Sequence, residues 1–382
     1  MMNKNEWKKV KLEDIGEIIT GITPSTSNNE FYNKKEIPFY KPNDLVDDKI
    51  KFLNEATVYI SNLARTKAKI IKEKSVLVTC IGIIGKVAII NREGAFNQQI
   101  NCITPNESIC DINYLAFAIK SKQKYMQYVA NSAIVPIINK TQFSNIEILL
   151  PNIETQKIIS KKLNIIQKII EMKQQQLFEF EKLVKFQFLE MFGDPILNEK
   201  NWKTEKLENI YKIIDGDRGK NYPKQNEFYK DEFCLFLNAK NVTNFGFNFD
   251  KVEFITKEKD EMLRSGKLER GDIVVTTRGT IGNTAYYDNN IIFENIRINS
   301  GMVILREKEK INPIFFIKYF QNFKIYNKVV SGTAQPQIPI TNMKNLKIIA
   351  PPIELQNKFA DFVKQVDKSK FVIPSEVLGG VA

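Results

Sequence analysis

Three hydrophobic patterns succeed one another along this chain. The first is a set of continuous or alternating apolar runs, as at residues 75–90 and 271–287, whose period and glycine punctuation predict β-strands and tight turns. The second is a helical spacing over residues 112–129 and 313–329. A Pro-containing loop and a short closing strand follow each, at residues 146–150 and 346–350. Each half reads as a mixed α/β globule of about 150 residues.

The third pattern is a long helix. Residues 152–191 contain neither Gly nor Pro. Ile159, Leu163, Ile166, Ile170, Lys173, Leu177, Phe180, Val184, Gln187 and Met191 follow at 4-3 spacing, and eight of these ten are apolar, which is a coiled-coil seam. Asn152 is placed to cap its start, Glu154 suits the positive end of the helix dipole, and Gly193-Asp194-Pro195 stops it. At ~1.5 Å per residue the helix is roughly 55–60 Å long. The same start recurs as Pro351-Pro352-Ile353-Glu354-Leu355-Gln356, leading into a seam of Phe359, Val363, Val366, Lys370 and Ile373. Pro374 breaks this second helix, and residues 375–382 read as an irregular tail. Paired antiparallel, the shorter helix covers Leu177, Phe180, Val184 and Met191. It leaves Ile159, Leu163, Ile166 and Ile170 for another partner: a second copy, another subunit or the first globule.

The halves are copies of each other. The two tryptophans, Trp7 and Trp202, open them. Lys11, Leu12, Glu13, Ile15, Ile18, Ile19 and Gly21 match Lys206, Leu207, Glu208, Ile210, Ile213, Ile214 and Gly216. Val78, Thr79, Gly82 and Gly85 match Val275, Thr276, Gly279 and Gly282; Asn97, Ile100 and Asn101 are aligned with Asn295, Ile298 and Asn299. Pro136, Thr141, Asn145, Ile148, Pro151, Ile153, Glu154 and Gln156 match Pro336, Thr341, Asn345, Ile348, Pro351, Ile353, Glu354 and Gln356. A period of about 200 residues is a duplicated domain rather than a solenoid.

Globule, long helix, globule, helix resembles the specificity subunit of Type I restriction–modification enzymes. The segment Phe188-Leu189-Glu190-Met191-Phe192-Gly193-Asp194-Pro195, followed by a Trp-opened copy, is similar to that family's junction into its second recognition domain. The helix starts at residues 151–156 and 351–356 are similar to its two spacer-helix starts. The resemblance implies an α/β fold with two duplicated target recognition domains joined by long antiparallel coiled-coil helices. Residues 1–151 would be the first domain, 152–195 the long spacer, 196–351 the second domain, and 352–382 the shortened spacer and tail. It implies a non-catalytic subunit that reads one half of a bipartite double-stranded DNA target with each domain. Its partners would be methyltransferase subunits, two of them, and restriction–translocase subunits. The rival reading is a coiled-coil scaffold that holds nucleic acid nonspecifically.

Charge agrees with a polyanionic partner: 56 Lys and Arg face 44 Asp and Glu, a net charge of +12. The chain has no histidine, which removes His bases, triads and metal ligands together. Cys80, Cys102, Cys110 and Cys234 form no CxxC pair, so no metal is expected, and they fit a reducing, cytoplasmic setting. No apolar run approaches membrane-spanning length. Gly82-Ile83-Ile84-Gly85-Lys86 has two residues between its glycines where a phosphate loop has four, and Val87 follows the lysine, so no nucleotide cofactor is implied.

The residues suited to DNA are loop cations and amides, since Arg and Lys fit phosphates and guanine edges while Asn and Gln fit adenine. In the first globule they are Lys41, Asn43, Lys86, Asn97, Gln98, Gln99 and Lys140; in the second, Arg218, Lys220, Lys240, Asn241, Thr277, Arg278, Asn295 and Arg297. Recurring residues suggest a shared structural job. Residues that differ between copies, Arg278 against Ile81 and Arg297 against Gln99, are the specificity candidates. Ile159, Leu163, Ile166, Ile170, Phe359, Val363 and Val366 are the candidate subunit interface.

Overall fold

The computed structural model describes residues 7–130, 135–332 and 335–370. They form two compact units, which divide within the long helix between Lys173 and Gln174.

In the first unit the main sheet runs in the order Gly16–Thr20, Ile100–Pro105, Ser75–Thr79, Val87–Ile90 and Lys51–Leu53. All neighbours are antiparallel except the last pair. A smaller sheet of Val58–Ile60, Ile37–Tyr40, Gly94–Phe96 and Ile70–Ile71 covers one face. The helices Ile112–Ser121 and Gln123–Ala130 cover the other. This explains why residues 76–78 and 87–90 are apolar without interruption. Val76, Val78, Val87 and Ile89 enter a core with Leu115, Ile119 and Met126, while Leu77, Ala88 and Ile90 enter a second core with Tyr40, Phe96 and Ile100. A strand covered on both faces has no polar side to alternate with.

The second unit repeats the plan. Its main sheet is Tyr211–Asp215, Met302–Glu307, Ile273–Thr276 and Thr284–Tyr286, and its smaller sheet is Phe254–Ile255, Cys234–Leu237 and Ile296–Ile298. Ile273 and Val275 face the helix-side core, and Val274 faces the other. Each predicted helix is broken in two. The first pauses at Lys122, and the second, Pro313–Asn322, ends before Lys324, whose left-handed φ of 45° starts a short 3-10 turn.

The long helix runs from Ile153 to Phe192. Asn152 Oδ1 accepts from Thr155 N–H at 2.8 Å, and Gly193 follows at a φ of +72°. Lys200 Nζ and Trp202 Nε1 donate to the last carbonyls, those of Glu190, Met191 and Phe192. The recurring Gln has a plain structural job. Gln156 is fully buried; its Oε1 accepts from Asp111 N–H, and its Nε2 donates to the carbonyls of Ile109 and Pro151. Gln356 is also buried, accepting from Asn312 N–H and donating to the Pro351 carbonyl. Asp111 and Asn312 each cap a globule helix, so the amide ties the outgoing helix to its globule.

The second long helix spans Ile353–Ser369. Ile373, Pro374 and the 375–382 tail lie outside the described residues. Phe359 packs on Phe188 and Phe192, with ring centroids 5.4 and 5.7 Å apart. Val363 and Val366 join Val184 in the same core. The proposed subunit interface is corrected here: Phe359, Val363 and Val366 are spent inside the second unit. Ile166 and Ile170 remain 50% and 52% exposed, while Ile159 and Leu163 are half-buried.

Candidate nucleic-acid interface

In both units several loops meet at one end of the main sheet. The core of this edge is a hairpin turn held the same way twice. Thr79 Oγ1 donates to the Ile83 carbonyl and accepts from Lys86 N–H; Thr276 Oγ1 donates to the Thr280 carbonyl and accepts from Asn283 N–H. Gly82 and Gly279, at φ of +76° and +72°, form the turn tips, where an added Cβ would meet nothing within 4 Å. These glycines serve the turn, and they leave backbone exposed for close approach by a phosphate.

A second turn lies beside the hairpin. Asn97 Oδ1 accepts from Gln99 N–H, and Asn299 Oδ1 accepts from Gly301 N–H. Asn97 N–H donates to the Tyr40 carbonyl, and Asn299 N–H to that of Leu237. Asn97 therefore corresponds to Asn299, and the sequence alignment of Asn97 with Asn295 is displaced by one turn of chain. Asn-x-x-Ile-Asn happens to recur in the wrong register. Gln98 and Gln99 correspond to Ser300 and Gly301, and the contrast of Arg297 with Gln99 falls away.

A third segment closes the edge. Ile81 bridges Ile137 in the first unit, and Arg278 bridges Gln337 in the second. The backbone frame is shared while the side chains differ. Arg278 is exposed, and its Nε donates to Gln337 Oε1 at 3.2 Å. Gln337 was missed from the sequence; its signal was the divergence of Pro136-Ile137-Ile138 from Pro336-Gln337-Ile338.

Arg218 lies on this edge, donating to the Ser300 carbonyl and pairing with Asp215. Arg264, also missed, stands beside Gly219 with its side chain 79% exposed, joining Arg218 and Lys220. Lys240 is exposed on the turn after Cys234–Leu237. In the first unit, Lys86 Nζ donates to the Pro42 carbonyl between Lys41 and Asn43, and Thr23 donates to Gln98 Oε1. Lys140 is exposed at the start of the short helix Lys140–Ser144.

Four candidates are not available to DNA. Asn97 is buried in its turn. Asn241 is buried, its amide donating to the carbonyls of Asn248 and Lys251. Thr277 is buried and donates to the Gly301 carbonyl. Arg297 is buried against Asp260 and three backbone carbonyls. Asn295 is half-buried and sits at the opposite end of Ile296–Ile298 from the turn at Asn299. Chemistry is equally sparse: burial pushes the thiols of Cys80, Cys102, Cys110 and Cys234 up to about 12, far from a reactive thiolate.

The family profile for the Type I restriction modification DNA specificity domain matches this chain twice, over residues 4–182 and 199–377. The chain belongs to that family. It is 25% identical to the Type I restriction enzyme MjaIX specificity subunit of Methanocaldococcus jannaschii, over 94% of this chain and 86% of that one. Over a shorter span, 41% of this chain and 34% of the relative, it is 36% identical to the HindI specificity subunit of Haemophilus influenzae. The solved S subunit of a Type I restriction–modification system from M. genitalium has the same fold, with a TM-score of 0.57 at 16% identity, covering 100% of this chain and 94% of that one. Among the described residues of this Type I specificity chain, no helix is long and apolar enough to cross a membrane.

Proposed function

We propose that this chain is the DNA-recognition subunit of a Type I restriction–modification complex and performs no chemistry itself. Each unit reads one half of a split target from the edge built by its hairpin and neighbouring turns. Methyltransferase subunits, two per complex, and restriction–translocase subunits then act at or from that site, in the cytoplasm. One observation carries this reading: the same backbone frame presents Ile81 and Ile137 in one unit and Arg278 and Gln337 in the other. A common frame with different side chains is what two different half-sites require.

The test is an exchange. Replacing residues 1–151 by the first domain of another family member should change one half of the methylated motif and leave the other half and the gap intact. A change in both halves, or in neither, sinks the modular reading. At finer grain, Arg278→Ala should weaken target binding by about 1–3 kcal/mol and relax the motif at one position. An unchanged motif selected from a random duplex library would remove Arg278 from the reading set.

The exposed Ile166 and Ile170 are offered to a partner subunit. Ile166→Glu combined with Ile170→Glu should reduce assembly with the methyltransferase subunit without altering the melting temperature of the free chain. Equal complex mass and yield for variant and wild type would show that this row is simply solvated.

A further inference from the structure

The duplication supplies an internal control for a cleft in the second unit. In the first unit, the connection from Ile37–Tyr40 to Val58–Ile60 crosses to the helices. Asp47 accepts from Lys120 Nζ and Gln123 Nε2. Ile50 exchanges two backbone hydrogen bonds with the Gln167 side chain, at 3.2 and 2.9 Å. Lys49 pairs with Glu171 at 3.2 Å.

The matching connection of the second unit begins identically: Asp44 accepts from Lys41 N–H, as Asn241 Oδ1 accepts from Asn238 N–H. It then folds back as a two-stranded hairpin, Val242–Thr243 with Gly246–Phe247. It meets the helix Pro313–Asn322 through one long hydrogen bond, Gln321 Nε2 to the Asn244 carbonyl at 3.4 Å.

What the first unit fills, the second leaves open. A cleft of about 950 Å³ lies between this hairpin, the turn at Thr280–Asn283, the helix face at Ile317 and Gln321, and Asp367 with Lys370. Repeat positions confirm the equivalence. Asp367 stands where Gln167 stands, by the same offset that relates Gln356 to Gln156, and Gln321 stands where Lys120 stands on its helix.

Two polar groups in the cleft make no hydrogen bond among the described residues. Thr284 is 1% exposed, and its hydroxyl has no hydrogen bond. Lys318 carries no hydrogen bond or ion pair among the described residues. Burial holds its ammonium below the ordinary lysine range, although Asp367 and Glu181 oppose that effect. Asp367 itself is paired with Lys370 at 2.6 Å. Phe245, 80% exposed on the hairpin, and Ile281, Ile291 and Ile317 supply apolar wall. Glu181 and Asp288 on the lining disfavour a polyanion.

We propose that this cleft docks a peptide segment of a protein partner that places one carboxylate against Lys318 and an apolar side chain against Phe245 and Ile317. Residues 44–50 fill the corresponding space of their own globule, with Asp47 on Lys120 and Gln123 and Ile50 in the core. The inference rests on the chain's being the recognition subunit of a larger assembly, so the partner to test is the methyltransferase subunit of its own system.

A photo-crosslinking amino acid at the exposed Asn244 of the full chain, assembled with that subunit, should capture one segment of it. That segment should contain Asp or Glu among apolar residues, and capture should not need DNA. Lys318→Glu should weaken assembly roughly tenfold or more, and Lys318→Met less, with second half-site binding unchanged. Should Lys318→Glu fail to fold, Asn244→Trp, which obstructs the mouth from an exposed position, should give the same loss. Capture of DNA instead of protein, or wild-type assembly in both the charge and obstruction variants, overturns the docking site alone. Failure of wild type to assemble at all overturns the recognition-subunit reading, and the docking site with it.

Discussion

Arg297→Ala should destabilise the second unit by about 3 kcal/mol, the lower end for breaking a buried ion pair, because Lys267 still pairs with Asp260. Arg297 and Asp260 have side chains only 7% and 3% exposed. The guanidinium donates to the Asp260 carboxylate and to the carbonyls of Ser265, Asp260 and Leu263, the last three at 2.8, 2.7 and 3.2 Å. Removing it strips four acceptors at once. Burial alone would raise the Asp260 carboxyl, but hydrogen bonds from Lys267 and Arg297 outweigh it and hold it below the usual range. A depressed folded pKa means stability that is present above the unfolded value of about 3.9 and is lost as pH falls through the folded one. The variant should therefore show a shallower acid limb as well as a lower urea midpoint at neutral pH. The target motif of whatever fraction folds should stay the same. An unshifted midpoint together with an altered motif would return Arg297 to the DNA-reading set.

Phe188→Ala should cost about 3–5 kcal/mol, as large-to-small changes in a packed aromatic core do. Phe188 belongs to the long helix by sequence but to the second globule by packing. Its ring lies 5.6 Å from both Phe315 and Tyr319, 4.7 Å from Phe323 and 5.4 Å from Phe359. Its truncation should lower the urea midpoint of the second unit's transition and leave the first unit's near its original place. A loss below about 1 kcal/mol would mean the surrounding rings collapse into the gap, and the helix end would then be a weaker anchor than its burial suggests.

The repeat, the long helix and its stop, and the double-covered strands were legible because each rests on local pattern: 4-3 spacing, a Gly at positive φ, and unbroken apolar runs. The break of each globule helix was not, because the pause at Lys122 and the left-handed Lys324 carry no Gly or Pro signal. The candidate site was legible in kind and only partly in residue. Arg278, Arg218, Gln98 and Lys140 are exposed at or beside the loop edge. Arg297 and Asn241 are the same residue types turned inward, and the partner that holds Arg297, Asp260, is 37 residues away in sequence. Gln337 and Arg264 come from segments distant in sequence, which meet the edge through a strand bridge and through a glycine that leaves room. Short matching strings misled once, where Asn-x-x-Ile-Asn outscored the true turn correspondence of Asn97 with Asn299.

Among the described residues, the buried side-chain amides of Gln156 and Gln356 bond only to main-chain groups. Such a joint demands a cap N–H and a carbonyl at the right place and nothing of any side chain. A globule with a wholly different reading edge can be mounted on the same helix without a compensating change at the joint. Recombination that crosses near residues 151 or 351 would thus keep the joint intact, and what a new head must still match lies farther along the helix, at contacts such as Lys49 with Glu171 and Phe188 with Phe315.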